Sequence, residues 1–187
     1  QKNQFIQFYE FLVEKNKVMN LTGITEFDEV LVKHFLDSLC CVKAVDMSKV
    51  KTVMDIGTGA GFPGVPLKIA FPELEACLLD SLNKRVKFLE ETFALLGLEN
   101  ISAIHGRAEE YAKNKAYREK YDLCVSRAVS GLATLSEYCL GGKIRDIQYF
   151  DLPGSEISRS LVIIEKVKNT PGKYPRKAGT PLREPLA

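Results

Sequence analysis

The run DIGTGAGFPG, Asp55 to Gly64, sets glycines at 57, 59 and 61 between the apolar run TVMDIG and a helical pattern near Val65 to Phe71. Glycine lets a backbone pass close beside a ligand, because a Cβ there collides with it or forbids positive φ. The helix start beyond it offers N–H groups and a positive dipole end suited to a carboxylate or phosphate. The loop therefore reads as the seat of a nucleotide-like cofactor. A dinucleotide fingerprint G-x-G-x-x-G opening at Gly57 needs glycine at 62, where Phe62 stands, so an NAD-dependent oxidoreductase is the weaker alternative. Asp80 closes the next apolar run 23 positions after Gly57. That is about where an acid accepts hydrogen bonds from ribose hydroxyls in nucleotide-binding α/β sheets. The plainer reading is a tight turn with Asp80 capping the following helix.

Three further groups carry chemistry. Arg127 in VSRAVS falls at the carboxyl end of a fourth apolar run, over the crevice where open α/β sheets bind ligands. His34, Asp37 and Ser38 share one helical face by i, i+3 and i+4 spacing, which on its own also suits a satisfied polar cluster. From Lys166 to Arg183 the chain has six basic residues and no acidic one, with Tyr174 among them, a surface for RNA phosphates and unstacked bases or simply a solvated run. From Lys143 onward the count is 9 basic to 5 acidic, so charge is polarised toward the carboxyl end.

The elements that position these residues follow from periodicity. Apolar residues at near-helical spacing predict a first helix over residues 1 to 18. NLTGI, Asn20 to Ile24, interrupts it. A second helix runs from Phe27 to Val42, opened by a capping box of Thr25 and Asp28. From Lys51, short apolar runs alternate with helical ones: Thr52 to Gly57, Ala76 to Asp80, Ile101 to Gly106 and Tyr121 to Ala128, with a charged helix from Leu82 to Leu96 and a last helix from Ser130 to Leu140. This is βαβαβαβα, an α/β fold with a mostly parallel sheet covered on both faces. KIRDIQYFDL and RSLVIIEKVK, separated by Pro153-Gly154, predict an antiparallel carboxyl-terminal hairpin. The division expected is a helical extension over 1–46 and a catalytic domain over 47–187. A doubly wound sheet normally supplies another strand and helix before such a hairpin, which predicts that residues are missing between Leu140 and Gly141.

The chain has 187 residues, 26 basic and 24 acidic, and a net charge of +2, which excludes a global basic field. Five cysteines without a C-x-x-C pair read as reduced thiols, and no zinc-finger spacing is present, so no metal is expected. No run of about 18 apolar residues exists, so neither a membrane span nor a signal peptide is expected, and a cytoplasmic monomer is. Lys84, Arg85 and Lys87 read as a solvent face.

Asp55-x-Gly57-x-Gly59-x-Gly61 resembles the first motif of the class I S-adenosylmethionine methyltransferases, which implies a Rossmann-like sheet and S-adenosylmethionine as cofactor. VSRAVS lacks the Asn- or Asp-Pro-Pro-aromatic loop common in enzymes that methylate exocyclic amines, and no cysteine follows a proline as cytosine C5 chemistry usually requires. Oxygen acceptors and ring nitrogens with a lone pair remain, a small-molecule acceptor among them.

NLTGI, KHFLDS (Lys33 to Ser38), DIGTGAGFPG, LLDSLNKRVKFL (Leu78 to Leu89), GRAEE (Gly106 to Glu110), SRAV (Ser126 to Val129) and the tail TPGKYPRKAGTPLREPL together resemble the RsmG (GidB) family of bacterial 16S rRNA guanine-N7 methyltransferases, in that family's order. The departure is the Leu140/Gly141 junction, where the family carries another strand and helix. The resemblance implies that Gly57, Gly59, Gly61, Phe62 and Asp80 line the S-adenosylmethionine site and that Ala108 and Glu109 meet the adenine. It implies that Arg127 serves catalysis beside the cofactor and that Asn20, His34, Asp37 and Arg176 lie on the RNA side. The partner implied is 16S rRNA or an assembling small subunit.

Overall fold

The computed structural model describes residues 1–127, 139–177 and 179–184, without the side chains of 181 and 182. Four strands form a parallel sheet in the order β3-β2-β1-β4: β1 Thr52–Ile56, β2 Glu75–Asp80, β3 Ile101–His105 and β4 Leu123–Val125. Parallel strands are covered on both faces, so burial runs continuously through TVMDI and EACLLD rather than alternating. Helices α4 (Gly64–Ala70) and α5 (Asn83–Leu96) make the crossovers between β1 and β2 and between β2 and β3.

β1 has β2 on one side and β4 on the other. The strand order reverses there, and open α/β sheets bind ligands outside the carboxyl ends at such a point. Asp55 pairs with Leu78 and Val125, so the glycine loop after β1 and Arg127 after β4 emerge side by side. The Ser126 hydroxyl donates to the Ile56 carbonyl at 3.1 Å and ties the two strand ends together.

The amino-terminal helices build the wall facing this crevice. Helix α1 (Lys2–Met19) buries Phe8 and Leu12, which join one apolar cluster with Phe35, Phe62, Val65, Leu78 and Phe88. Phe11 stacks on Phe88 at 5.5 Å, holding α1 against α5. The second helical stretch runs over residues 27–43 but is not one α-helix. Helix α2 (Phe27–Val30) passes into a π-helical turn over Leu31–Leu36, then α3 (Asp37–Leu39) and a 3₁₀ turn over Cys40–Lys43. The capping box does not form: the N-cap is Glu26, with no side-chain cap, and the Thr25 carbonyl accepts from Tyr9 Oη at 3.1 Å.

β4 is shorter than its apolar run, and most of the helix expected over Ser130 to Leu140 lies outside the described residues. The hairpin forms as read, with β5 (Gly142–Asp151) antiparallel to β6 (Ser158–Lys166). It is a separate two-stranded sheet. Ile163 and Leu152 are buried, whereas Ile144, Ile147 and Val162 are exposed. A four-residue helix α6 (Ala108–Tyr111) follows β3, and α7 (Thr180–Arg183) ends the described chain.

Candidate active site

Asp55, the penultimate residue of β1, is fully buried. Its Oδ2 accepts from the Thr58 hydroxyl at 2.6 Å and from the Gly64 N–H at 2.8 Å, so one carboxylate oxygen staples both ends of the glycine loop. Burial pushes the Asp55 carboxyl up to about 6 against these hydrogen bonds. Its other oxygen, Oδ1, is buried without a partner, which is unusual for a polar atom and suits a donor arriving from a ligand.

Gly57, Gly59 and Gly61 all take positive φ, at 71°, 62° and 93°. At Gly59 a Cβ would meet nothing within 4 Å, so the loop opens onto free space there, whereas at Gly61 it would lie 2.6 Å from Val65 Cγ2. Gly61 is thus small for packing and Gly59 for conformation beside an open face. The start of α4, expected to offer free N–H groups, is already occupied. Gly64 N–H is held by Asp55, Val65 N–H by the Gly61 carbonyl at 2.7 Å, and Gly61 and Phe62 N–H by the Thr58 carbonyl. An anion at that terminus would have to displace these bonds, so the loop suits a ligand that lies along the glycines rather than a phosphate on the dipole.

Asp80 ends β2 and is 2% exposed. Oδ2 accepts from the Gly59 N–H at 2.9 Å and Oδ1 from the Leu82 N–H at 2.9 Å. Arg85 turns inward to lie 3.4 Å from Asp80, and Lys84 donates to the Met19 carbonyl, so two of the three cations read as a solvent face are spent on the fold. Asp80 pairs with His105, and the Gly106 N–H donates to the Asp80 carbonyl at 3.0 Å. Ala108 and Glu109, half-buried in the first turn of α6, therefore stand on the same rim as Asp80. The cradle of glycines, the unpartnered Asp55 oxygen and an acid at the next strand end fit a nucleoside-bearing donor with a cationic group.

The opposite wall is a polar cluster drawn from three distant segments. Arg127 Nη1 donates to Asp37 Oδ2 at 2.7 Å and to the Lys33 carbonyl at 3.1 Å, and Nη2 lies 3.2 Å from His34 Nδ1. The π-helical turn matters here, because the Asp37 N–H reaches the Val32 carbonyl and not that of Lys33, and the Lys33 carbonyl meets Arg127. The guanidinium sits 5.3 Å above the Phe62 ring, and His34 stacks on the same ring at 4.5 Å. Nδ1 of His34 also lies 3.1 Å from the Lys33 carbonyl, and Nε2 lies 2.8 Å from Thr22 Oγ1, so both ring nitrogens are engaged. Burial and the Arg127 charge pull His34 down to about 4, which keeps it neutral.

His34 and Asp37, expected on one helical face with Ser38, both meet Arg127, His34 and Arg127 both lie on Phe62, and Ser38 donates to the His34 carbonyl at 2.6 Å. Asn20 lies nearby in sequence, in the left-handed cap of α1, and Asn16, whose Oδ1 accepts from the Leu21 and Thr22 N–H groups, shapes the turn that brings Thr22 in. Arg176 is in the tail, where Nη2 donates to the Glu184 carbonyl at 2.6 Å.

The residue unforeseen is Arg159 on β6, whose Nε donates to Asp37 Oδ1 at 2.9 Å. One carboxylate thereby holds two guanidiniums, one from β4's end and one from the hairpin. No local spacing announces a partner 122 positions away. With His34 neutral the cluster carries a net charge of +1.

Comparison with known proteins places this arrangement. A family model described as rRNA small subunit methyltransferase G matches residues 1–151. Proteins named ribosomal RNA small subunit methyltransferase G from Exiguobacterium sp. and Alkaliphilus metalliredigens are each 46% identical to the chain, over all of it and 91% of their own length. One from Clostridium tetani is 44% identical, over 98% of the chain and 90% of its own length. The first two alignments span 217 positions and the chain has 187 residues, so those relatives carry at least 30 residues where this chain has none. Among solved structures, M. capricolum TrmK in complex with S-adenosyl-homocysteine has a TM-score of 0.51 at 14% identity, covering 71% of this chain and 69% of its own. A putative O-methyltransferase from Klebsiella pneumoniae has a TM-score of 0.50 at 15% identity, covering 70% and 56%. These two share the fold, a Rossmann-like class I methyltransferase sheet. The relatives and the family model together establish that the chain belongs to the rRNA small subunit methyltransferase G (GidB) family.

Proposed function

We infer that the protein transfers a methyl group from S-adenosylmethionine to N7 of a guanine in small-subunit ribosomal RNA. The observation that carries this reading is the fixed Arg127 guanidinium beside the glycine loop, held by Asp37, the Lys33 carbonyl and His34 over Phe62. When bound, the cofactor supplies an electrophilic methyl carbon on a positively charged sulfur. Gly57, Gly59, Gly61, Phe62 and Asp80 are the residues that would hold it, with Ala108 and Glu109 toward its base and Asp55 Oδ1 free to accept from a cationic group.

Guanine N7 already holds a lone pair, so no residue has to remove a proton. The site is built accordingly. Asp37 is saturated by two guanidiniums and His34 has both ring nitrogens engaged, so neither is free to act as a general base. Catalysis then rests on alignment, worth about 7 to 11 kcal/mol when reacting atoms are held at near-attack distance. Among the described residues, three of Arg127's five N–H groups are taken by protein partners, which leaves two to orient the guanine through O6 or an adjoining phosphate. Asn20, Asp37 and His34 line the RNA side, and Arg176 belongs to the tail that grips it.

Residues 1–46 serve this chemistry as the wall that aims Arg127, and 47–187 as the catalytic domain, acting in the cytoplasm on rRNA or an assembling subunit. The relatives carry at least 30 aligned residues that this chain lacks, which supports the expected omission; we place it between Leu140 and Gly141, and the intact mass of the protein made in its own cell checks this. The functional test is nucleoside mass spectrometry of small-subunit rRNA after incubation with enzyme and S-adenosylmethionine. 7-Methylguanosine appears with the parent and falls at least 100-fold in rate with Arg127→Ala. Full transfer by that variant, or a methyl on another atom, overturns the reading.

A further inference from the structure

A second arginine, far from Arg127 in role, organises the carboxyl-terminal tail. Arg118 lies half-buried in the loop after α6. Nη1 donates to the Ala112 carbonyl at 2.6 Å and the Tyr174 carbonyl at 3.0 Å, and Nη2 to the Thr170 carbonyl at 2.5 Å and that of Pro171 at 3.4 Å. Three of its four acceptors belong to the tail. Beside it Glu119 accepts from the Thr170 N–H at 2.8 Å, and Lys166 pairs with Glu119 at 3.4 Å while donating to the Leu140 carbonyl at 2.6 Å. Residues 170–174 are therefore strapped onto loop 112–120 through main-chain atoms.

The consequence is electrostatic. Loop and strap together expose Lys113, Lys115, Lys120, Lys168, Lys173 and Lys177, and none of the six forms an ion pair among the described residues. Carboxylates in and beside the loop and strap include Glu119, already paired with Lys166, Glu184, which faces Arg176, Asp122, whose Oδ2 accepts from the Lys51 and Thr52 N–H groups, and Glu110. Glu110, Tyr111, Asn114 and Tyr117 line a cavity of about 200 Å³, in which the two tyrosine rings meet edge to face at 4.8 Å. Exposed lysines gathered beside half-buried tyrosines suit a single-stranded nucleic acid, whose phosphates and bases they match, better than an acidic peptide.

We propose that Arg118 is the positioning residue for a phosphate-binding surface on the strap and loop, which holds ribosomal RNA while the crevice modifies one base. The proposal rests on the rRNA reading above. Arg118 acts through the strap: its fork fixes three carbonyls in place, which aligns Lys168, Lys173 and Lys177 with the lysines of the loop.

The test is a mutant cycle on the full chain, with in vitro transcribed small-subunit rRNA as substrate. Arg118→Ala raises the KM for rRNA about tenfold and leaves kcat and S-adenosylmethionine affinity unchanged. The triple variant Lys168→Ala, Lys173→Ala and Lys177→Ala, confined to exposed positions and so safe for folding, does the same and makes the salt dependence of RNA affinity shallower by about two units of slope. Combining all four changes adds little, because a strap without cations gains nothing from being positioned. Arg118→Lys keeps the charge but loses the fork and behaves like Arg118→Ala. Multiplying effects, a loss in kcat instead of KM, or full activity in Arg118→Lys each overturns the proposal while leaving rRNA methylation standing. A parent enzyme that fails to methylate rRNA at all overturns both.

Discussion

Arg127 and Arg118 are both half-buried and both bridge distant segments, yet they are held by opposite chemistry. Arg127 meets a carboxylate, an imidazole, one carbonyl and an aromatic face. Arg118 meets four main-chain carbonyls. In the first case the partners fix the orientation of a side chain, as a residue aligned to a reacting base requires. In the second the side chain fixes two stretches of backbone, as a docking platform requires. Fixed donors act on transition states, where a misplacement is costly, whereas a platform acts on binding and tolerates looser geometry.

That contrast is broken most sharply at Asp37. Asp37→Ala leaves two guanidiniums without their carboxylate, and the expected loss is about 3 kcal/mol, the low end for a buried pair because both arginines keep some solvent contact. Urea midpoints measure it, and a loss under about 1 kcal/mol would put Asp37 on a par with a surface ion pair. Arg127→Lys comes next. It preserves charge and gives up the planar fork, so kcat falls about 100-fold while the affinity for rRNA, set by the strap, changes little. An equal loss in kcat and KM would erase the distinction between the two arginines.

The elements that these predictions rely on differ in how visible they are in the sequence. Glycines 57, 59 and 61 announced the turn, and all three take the positive φ that only glycine adopts freely. His34 and Asp37 were legible because a helix puts i and i+3 together, and Arg127 because a parallel strand delivers its carboxyl end to the crevice. The π-helical turn at Leu31–Leu36 was not visible, since its residues have ordinary helical composition and its geometry is set by what packs on it. Arg159 and Arg118 were hidden for a related reason. Each acts across at least 50 residues, and such pairings depend on tertiary placement that no local period encodes.

Arg159 tests whether the hairpin belongs to the catalytic side of the comparison. Among the described residues its one side-chain acid partner is Asp37, so Arg159→Gln lowers kcat about fivefold by loosening the carboxylate that aims Arg127. In an Arg127→Lys background the same change has almost no further effect, because a positioning residue has nothing left to position. Independent losses in the double variant would mean that Arg159 touches the substrate itself.

The smallest effect concerns the proton on His34. Its pKa falls from 6.5 to about 4 through burial and the Arg127 charge, so between those values the unfolded chain binds a proton that the folded one refuses. Stability therefore drops as pH falls from about 6.5 to 4, at no more than about 1.4 kcal/mol per pH unit. Asp55 acts in the other direction. Burial raises it from 3.8 to about 6, the folded state holds its proton longer, and stability rises as pH falls through that window. The two windows overlap, which leaves the parent with a shallow net slope. His34→Asn removes only the first contribution, so the variant gains on the parent steadily from pH 6.5 to pH 4.5, by less than about 1 kcal/mol because the half-buried imidazole keeps some solvent screening. Urea midpoints of the two proteins at pH 7.0, 5.5 and 4.5 measure the gap. Parallel curves would mean that the imidazole keeps its ordinary value, lowered neither by burial nor by the Arg127 charge.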